Sequence, residues 1–266
     1  MTTTIELYII SLLFIYGASV GSFLNVVNYR VPAKMNIVFP GSHCFSCKNS
    51  IRFYDNIPIL SYFITRGSCR SCGSSFSARY VIIELITAFL TVALFMVYGL
   101  NTEFFCYGIL TYILIAITFI DIDHLIIPNG FIIIGSLILA VFLMLGWLTI
   151  GIMDSIYGAI LFSTFLFFLG ALGKLILKKE AMGLGDVKLG IVLGGFVGVK
   201  ITILTLYISF LIAGAVSLIG LLGKWIDRKN QIPFGPYLAC GTIISILTRA
   251  SANENLIINW YLSLMG

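Results

Sequence analysis

Long apolar segments follow one another along almost the whole chain, and they constrain its fold more than any other feature. Eight can be marked, most of them close to the roughly 20 residues that a helix needs to cross a bilayer. They are 7–26, 81–100, 104–120, 131–150, 156–172, 187–199, 201–222 and 237–247. With 59% hydrophobic and only 10% charged residues, a soluble domain could not bury this much apolar surface. The sequence therefore predicts an all-α polytopic membrane helix bundle of about eight segments.

Three of these segments have unusual features. The first is preceded by Glu6 and lacks the basic start and the cleavage site of a signal peptide, so we predict that it is retained. The sixth and the eighth are short for an ordinary crossing. In the sixth, Gly190, Gly194, Gly195 and Gly198 allow either close helix packing or a partly re-entrant course.

Basic residues orient the predicted bundle. If the first segment runs from outside to inside, every lysine and arginine except Lys200 and Arg249 lies on the inner face. Such an excess is typical of cytoplasmic loops. The net charge of +5 is thus a topological signal, and no nucleic-acid partner is expected. Asp121, Asp123 and Asp186 fall on the same predicted cytoplasmic face, in a multi-pass protein of the inner membrane.

The loop 27–80 is the one long polar insert, and it carries two cysteine pairs. Cys44 and Cys47 form one Cys-x-x-Cys motif, and Cys69 and Cys72 form the other. Two such motifs at this separation predict a four-thiolate zinc site, whereas two disulfides are disfavoured in a reducing cytoplasm. Four thiolates leave no open coordination position, so we predict a structural zinc.

We therefore predict two parts in the chain. Residues 1–80 would hold the first membrane helix and the cytoplasmic zinc-binding insert. Residues 81–266 would form the membrane core that carries the aspartates.

Two acidic motifs stand at the ends of apolar segments. Asp186 follows a Gly-x-Gly sequence, and Asp121 and Asp123 lie at the end of the third segment. An aspartate that enters a membrane segment is unfavourable and usually has a function. Two carboxyl groups in a poorly solvated site can divide the roles of base and acid and so activate water. The alternative is that these aspartates cap helix N-termini.

Other polar positions have simpler interpretations. Glu84 lies a little over one helical turn from Arg79 and is interpreted as its ion-pair partner. Gly17 and Gly21 give the first segment a small-residue face that is typical of helix packing. The sequence Pro233-Phe234-Gly235-Pro236 is interpreted as a rigid turn before the last segment.

Taken together and in order, these motifs resemble a known family. The chain resembles the bacterial prepilin peptidases, or type IV leader peptidases, which are membrane aspartyl proteases with a Gly-x-Gly-Asp motif. The matching pieces are Gly21-Ser22-Phe23-Leu24-Asn25-Val26-Val27 with Arg30-Val31-Pro32, the two Cys-x-x-Cys motifs, Arg79-Tyr80 with Glu84-Leu85, Asp121-Ile122-Asp123 with Ile127-Pro128-Asn129, Gly183-Leu184-Gly185-Asp186-Val187-Lys188, and Pro233-Phe234-Gly235-Pro236.

The resemblance implies a bifunctional inner-membrane enzyme. It would cleave the basic leader of type IV pilin-like precursors after a glycine on the cytoplasmic side, with Asp121 and Asp186 as the catalytic pair. Asp123 stays an alternative for the first aspartate, although the spacing from Asp121 to Pro128 fits the family pattern better. Expected partners are prepilins or pseudopilins of type IV pili or type II secretion, together with the lipid bilayer.

The resemblance also implies a second reaction, methylation of the new N-terminal residue by S-adenosylmethionine. For the methyl donor it points to the N-terminal part of the chain, here Gly21, Asn25 and Arg30. We predict a bidentate contact between Arg30 and the carboxylate of the donor.

Two other function classes compete with this interpretation. A transporter would use membrane carboxylates to bind ions or protons, but transporters often contain internal repeats and none is visible here. A noncatalytic scaffold with a zinc knuckle would not need the glycines before Asp186.

Overall fold

The computed structural model describes residues 2–178, 182–224, 231–251 and 254–265. Helices dominate these residues, as the apolar segments predict. Three of the basic residues that orient the predicted bundle lie outside the described residues; they are Lys179, Arg228 and Lys229.

The chain divides into two compact units, residues 1–99 and 100–266. The first unit contains α1 (Thr2–Arg30), a 3₁₀ turn (Phe53–Asn56), α2 (Leu60–Ile64) and α3 (Arg79–Tyr98). The sequence-based division ends the first part at residue 80, whereas the structure includes α3 in that part.

Close packing of α1 against α3 explains this difference. A Cβ placed on Gly17 would lie 2.8 Å from Ala88 Cα, and one on Gly21 would lie 2.7 Å from Glu84 Cα. Real Cβ atoms do not approach other atoms so closely, so the two backbones meet where α1 has no side chain. The predicted small-residue face of α1 is confirmed, and it holds α3 in the first unit.

In its described residues, the second unit contains six helices and a short antiparallel ribbon. They are α4 (Thr102–His124), α5 (Asn129–Met144), α6 (Ile152–Leu177), α7 (Leu184–Leu222), α8 (Gly235–Leu247), β1 (Arg249–Ser251), β2 (Glu254–Asn255) and α9 (Leu256–Met265). Among the described residues, α1, α3, α4, α6 and α7 are long and apolar enough to cross a membrane. Helix α4 is buried in this unit, with Leu110, Leu114 and Ile117 fully enclosed.

The predicted sixth and seventh segments correspond to two helices that meet at a kink within α7 (Leu184–Leu222). Its backbone leaves helical geometry at Gly198, where φ is +75°. Asp154 of α6 accepts a hydrogen bond from the N–H of Val199 (3.2 Å), which would otherwise lack a helical partner at the kink. The sixth segment is short because it ends at this kink.

Glycine also sets the distance between α6 and α7. A Cβ on Gly194 would lie 2.6 Å from the carbonyl carbon of Gly158, so the two helices touch backbone to backbone. Ser155 strengthens the contact by donating to the carbonyl of Gly195 at 2.7 Å. Of the two sequence-based alternatives for the sixth segment, the structure shows close helix packing.

Candidate active site and metal centre

Asp121 lies in the last turn of α4, where its side chain is 5% exposed. Its Oδ2 accepts a hydrogen bond of 2.9 Å from the backbone N–H of Gly235, the first residue of α8. Leu125 follows the last residue of α4, and its left-handed backbone (φ +54°) directs its N–H to the carbonyl of Asp121 at 2.9 Å. The start of one helix therefore fixes a carboxyl group at the end of another.

Asp186 lies in the first turn of α7 and is 8% exposed. Its carboxyl group is near enough to that of Asp121 for the two to interact electrostatically. A Cβ on Gly183 would lie 3.1 Å from Asp186 Oδ2, so a larger residue there would crowd the carboxyl group.

Contacts around the two aspartates hold their loops together. A Cβ on Gly185 would lie 3.1 Å from Ile127 Cβ, which places the start of α7 against the loop between α4 and α5. Nearby, Lys188 Nζ donates to Asn129 Oδ1 at 3.1 Å. The two acidic motifs, more than 60 residues apart in sequence, thus meet in one place.

Asp123, the alternative first aspartate, has a different environment. It is exposed on the last turn of α4, two residues beyond the buried Asp121. Since successive helical residues point about 100° apart, residues 121 and 123 face different directions. The carboxyl group that is paired with Asp186 is that of Asp121.

A buried pair of carboxyl groups is suited to acid–base chemistry. Two like charges side by side in a poorly solvated site are costly, so the pair is most stable when one member carries a proton. The ionised member can then take a proton from water while the other donates one to a leaving group. The arrangement can therefore hydrolyse a bond without a covalent intermediate.

Gly235 is the residue of this site that the sequence analysis missed. Its motif was interpreted as a rigid turn, yet its N–H holds Asp121, and a Cβ there would lie 2.7 Å from Asp121 Oδ2. The signal was available in the Pro-Phe-Gly-Pro sequence as a piece of the family resemblance. A hydrogen bond across 114 positions of sequence could not be inferred from it.

The four cysteines of the first unit converge as predicted. The sulfur atoms of Cys44, Cys47, Cys69 and Cys72 all lie within 4.8 Å of one another. The distances from Cys44 to Cys72 (3.8 Å) and from Cys47 to Cys69 (4.0 Å) are far longer than a disulfide bond of about 2.05 Å. They fit the edge of about 3.8 Å of a tetrahedron with zinc–sulfur bonds of about 2.3 Å. The donor set therefore fits zinc.

Each cysteine pair is held in a similar tight turn. The N–H of Lys48 donates to the carbonyl of Cys44 (2.9 Å), and the N–H of Gly73 donates to that of Cys69 (2.8 Å). Lys48 and Gly73 both have left-handed backbones. A hydrogen bond with the hydroxyl of Ser74 lowers the pKa of the Cys44 thiol to about 6, whereas burial and the neighbouring thiols raise the pKa of Cys47 to about 11.

A cavity of about 450 Å³ lies beside this cluster within the first unit. Its volume is in the range of small-molecule sites. Residues of α1, α3 and the intervening loop line it, among them Asn25, Arg30, Cys69 and Glu84. Asn25 is fixed by a hydrogen bond from its Nδ2 to the carbonyl of Tyr80 at 3.1 Å.

The other two residues that the sequence analysis assigned to the methyl donor have structural contacts. Gly21 is not among the residues that line the cavity and lies instead against the backbone of α3. Arg30, 6% exposed, donates from both terminal nitrogens to the carbonyls of four loop residues, which are Asn36, Ile37, Pro40 and Gly41. These bonds occupy the N–H groups that a bidentate carboxylate contact needs.

The interpretation of Glu84 as the partner of Arg79 also differs from the structure. The Glu84 carboxyl group, 7% exposed, accepts from the N–H of Ile59 at 2.7 Å and hydrogen-bonds to the hydroxyl of Ser22. It lies on the wall of the cavity.

The fold and the sites define a class, a multi-pass membrane protein with a buried aspartate pair in one unit and a four-cysteine cluster in the other. Residues 15–98 match the bacterial peptidase A24 N-terminal domain, and residues 108–218 match the type IV leader peptidase family. The chain belongs to the type IV leader peptidase family, the bacterial prepilin peptidases. The predicted enzyme class, a protease that also has methyltransferase activity, is thereby confirmed.

Relatives match along nearly the whole chain. The prepilin leader peptidase/N-methyltransferase of Aeromonas hydrophila is 33% identical, over 95% of this chain and 93% of its own length. The enzyme of the same name from Pseudomonas aeruginosa is 33% identical over 87% of both chains. That of Bacillus subtilis is 31% identical over 90% of this chain and 94% of its own. No solved structure matches the chain.

Proposed function

We propose that this protein removes the leader peptides of type IV pilin-like precursors and then methylates the new N-terminal residue. The observation that carries the proposal is the buried Asp121–Asp186 pair, held by the N–H of Gly235. Its relatives are named for the same two activities.

In the proposed cleavage, the pair acts on a water molecule and on the peptide bond after the leader glycine. The ionised carboxyl group takes a proton from water, and the protonated one donates to the leaving amine. No base other than the aspartates is required. Glycine at positions 183 and 185 keeps side chains away from the Asp186 carboxyl group and from Ile127, so the two acidic motifs can lie close together.

The proposed methyl transfer belongs to the first unit. S-adenosylmethionine supplies the methyl group when bound, and the cavity beside the cysteine cluster is large enough for a small cofactor. Asn25 lines this cavity directly. In this proposal Arg30 acts by fixing the loop at residues 36–41 and Gly21 by allowing α3 to approach α1.

The zinc held by Cys44, Cys47, Cys69 and Cys72 is proposed to be structural. Four thiolates complete a tetrahedral shell and leave no position for a catalytic water. Its proposed function is to fix the loop that forms one wall of the cavity.

The sites are proposed to face the cytoplasm in the inner membrane, since this orientation places nearly all basic residues inside. The proposed substrates are prepilins or pseudopilins, which carry a basic leader before an apolar segment. They would reach the aspartates laterally from the lipid.

Purified protein in detergent can test the proposal with a synthetic precursor peptide, with and without S-adenosylmethionine. Mass spectrometry should show leader loss in both samples and an added methyl group only with the donor. The matched control is Asp186→Asn, which should leave the precursor intact. An uncut precursor with the wild-type protein, or equal cleavage by the variant, would refute the proposed peptidase.

A further inference from the structure

Glu84 is a buried carboxyl group that the Asp121–Asp186 chemistry does not use. It lies in the second turn of α3, is 7% exposed, and forms part of the cavity wall. Both of its hydrogen-bond partners, the Ile59 N–H and the Ser22 hydroxyl, are uncharged. Burying a carboxyl group without a cation is costly, so its retention at a cavity calls for a function.

The Ile59 contact shows that the loop is shaped around this carboxyl group. Ile59 has φ +65°, a left-handed backbone that is unfavourable for a β-branched residue. Its N–H is directed at Glu84 Oε2 at 2.7 Å. The loop therefore holds a strained backbone in a position that fixes one carboxyl oxygen.

The charged surroundings of the cavity contrast with Glu84. The lining contains Arg30, His43, Lys48, Arg52, Asp55 and Arg70. Asp55 pairs with Arg70 through Nε at 2.6 Å, and Arg30 is bonded to backbone carbonyls. Tyr29, Tyr62, Tyr80 and Cys69 complete the titratable groups on the wall. The cavity wall thus contains two carboxyl groups, Asp55 and Glu84. Asp55 pairs with Arg70, whereas the hydrogen-bond partners of Glu84 are uncharged.

Methylation of an N-terminal amine requires a base. The amine is mostly an ammonium ion at neutral pH, with an ordinary pKa of about 7.7–8.0, and its nitrogen cannot attack while protonated. It must first lose one proton. The nitrogen then forms a bond to the methyl carbon as the carbon–sulfur bond breaks, and the electron pair returns to the sulfur, which becomes a neutral thioether.

We propose that Glu84 is the proton acceptor for the N-terminal amine in the methyl transfer of this protein. This inference rests on the proposed methyltransferase function of the first unit. The carboxylate takes the ammonium proton, the amine is methylated in the cavity, and the proton passes to water after release of the product. Ile59 and Ser22 hold the carboxyl group in place.

The test is methylation of a pre-cleaved peptide by Glu84→Gln. Glutamine keeps the volume and can accept from Ile59, but it cannot take a proton. At saturating donor and pH 7, kcat for methylation should fall about 10²-fold or more, the usual contribution of a general base. Cleavage of the precursor and the zinc content should be unchanged. The matched control is Glu6→Gln, an exposed residue of α1, which should methylate normally.

A pH profile separates proton transfer from a packing role. In Glu84→Gln the ammonium ion must lose its proton to water, so the residual rate should rise about tenfold per pH unit below the amine pKa. The wild-type rate should depend on pH less steeply. All other titratable groups of the cavity are common to both proteins, so the difference between the profiles belongs to Glu84.

Other outcomes would overturn the inference. An unchanged kcat, or parallel pH profiles, would exclude Glu84 as the base. A raised KM for the donor with an unchanged kcat would assign Glu84 to cofactor binding. If the wild-type protein itself neither binds the donor in calorimetry nor methylates the peptide, the proposed methyltransferase function fails, whatever the variant does.

Discussion

At the residue scale, the two catalytic candidates are held by different groups. Asp121 is bonded to the first N–H of α8, whereas Asp186 is positioned by the first turn of its own helix and by the space that Gly183 leaves. Each carboxyl group therefore depends on a helix start, and the partner of Asp121 comes from a distant part of the sequence.

Amide substitutions should identify the pair. Asp121→Asn and Asp186→Asn should each abolish precursor cleavage and keep the protein folded, because an amide can neither take up nor release the proton. Asp123→Asn should retain activity, since that residue is exposed whereas Asp121 is buried. Cleavage assays with all three variants, at matched protein levels, are the measurement. If Asp123→Asn were inactive and Asp121→Asn active, Asp123 and not Asp121 would be the first catalytic aspartate.

Gly235→Ala should reduce cleavage strongly without a large loss of stability. The added Cβ would lie 2.7 Å from Asp121 Oδ2, so the carboxyl group must move away from its N–H donor. We expect at least a tenfold fall in kcat for cleavage and little change in methylation of a pre-cleaved peptide. The control is Gly214→Ala, where a Cβ would meet nothing within 4 Å. Equal cleavage by the two variants would contradict the proposed positioning role.

The residue types of the site could be predicted from the sequence, but their partners could not. The prediction of Asp121 and Asp186 depended on membrane segments and charge, which are local properties. Neither the bond from Gly235 to Asp121 nor that from Ile59 to Glu84 has a local signal, because each joins distant residues. The contacts of Arg30 could not be predicted from the sequence either. Its N–H groups donate to backbone carbonyls of the following loop, and no sequence pattern indicates these bonds.

At the element scale, the cysteine cluster joins two loop turns that share no helix or strand. Removal of one thiolate by Cys69→Ser should abolish stoichiometric zinc binding, because three thiolates leave the tetrahedral shell incomplete. Elemental analysis should give about one zinc per chain for the wild type. The melting temperature should fall, with methylation lost more readily than cleavage, since the cluster and the cavity lie in the first unit.

The control for this substitution is Cys240→Ser, an exposed cysteine outside the cluster. It should bind zinc and melt like the wild type. Freshly reduced wild-type protein without any metal would exclude the zinc site.

Helix positions were largely predictable, and the departures have physical causes. Hydropathy located the segments, and it divided α7 at Lys200, two residues after the kink at Gly198. At this kink Asp154 accepts a hydrogen bond from the N–H of Val199, a contact with α6 that hydropathy does not measure. Helix α3 belongs to the first unit because Gly17 and Gly21 of α1 let the two backbones come into contact. Hydropathy does not measure such backbone contacts.

At the scale of the whole molecule, charge distribution predicts the orientation in the membrane. Single cysteines introduced at Lys34 and Lys200, both exposed, should react differently with a membrane-impermeant maleimide in spheroplasts. Lys200→Cys should be labelled in intact spheroplasts, whereas Lys34→Cys should require permeabilisation, because the excess of basic residues is expected inside. Labelling of the unsubstituted protein sets the background, and the reverse pattern would invert the proposed topology.

The kink at Gly198 has a mechanical consequence for the peptidase. The part of α7 that carries Asp186 touches α6 backbone to backbone at Gly158 and Gly194, so these two pieces cannot slide past each other without steric clash. The weakest point of α7 in bending is Gly198, where the helical hydrogen bonds are interrupted. Bending of α7 at Gly198 would therefore move Asp186 together with the part of α6 that its helix touches.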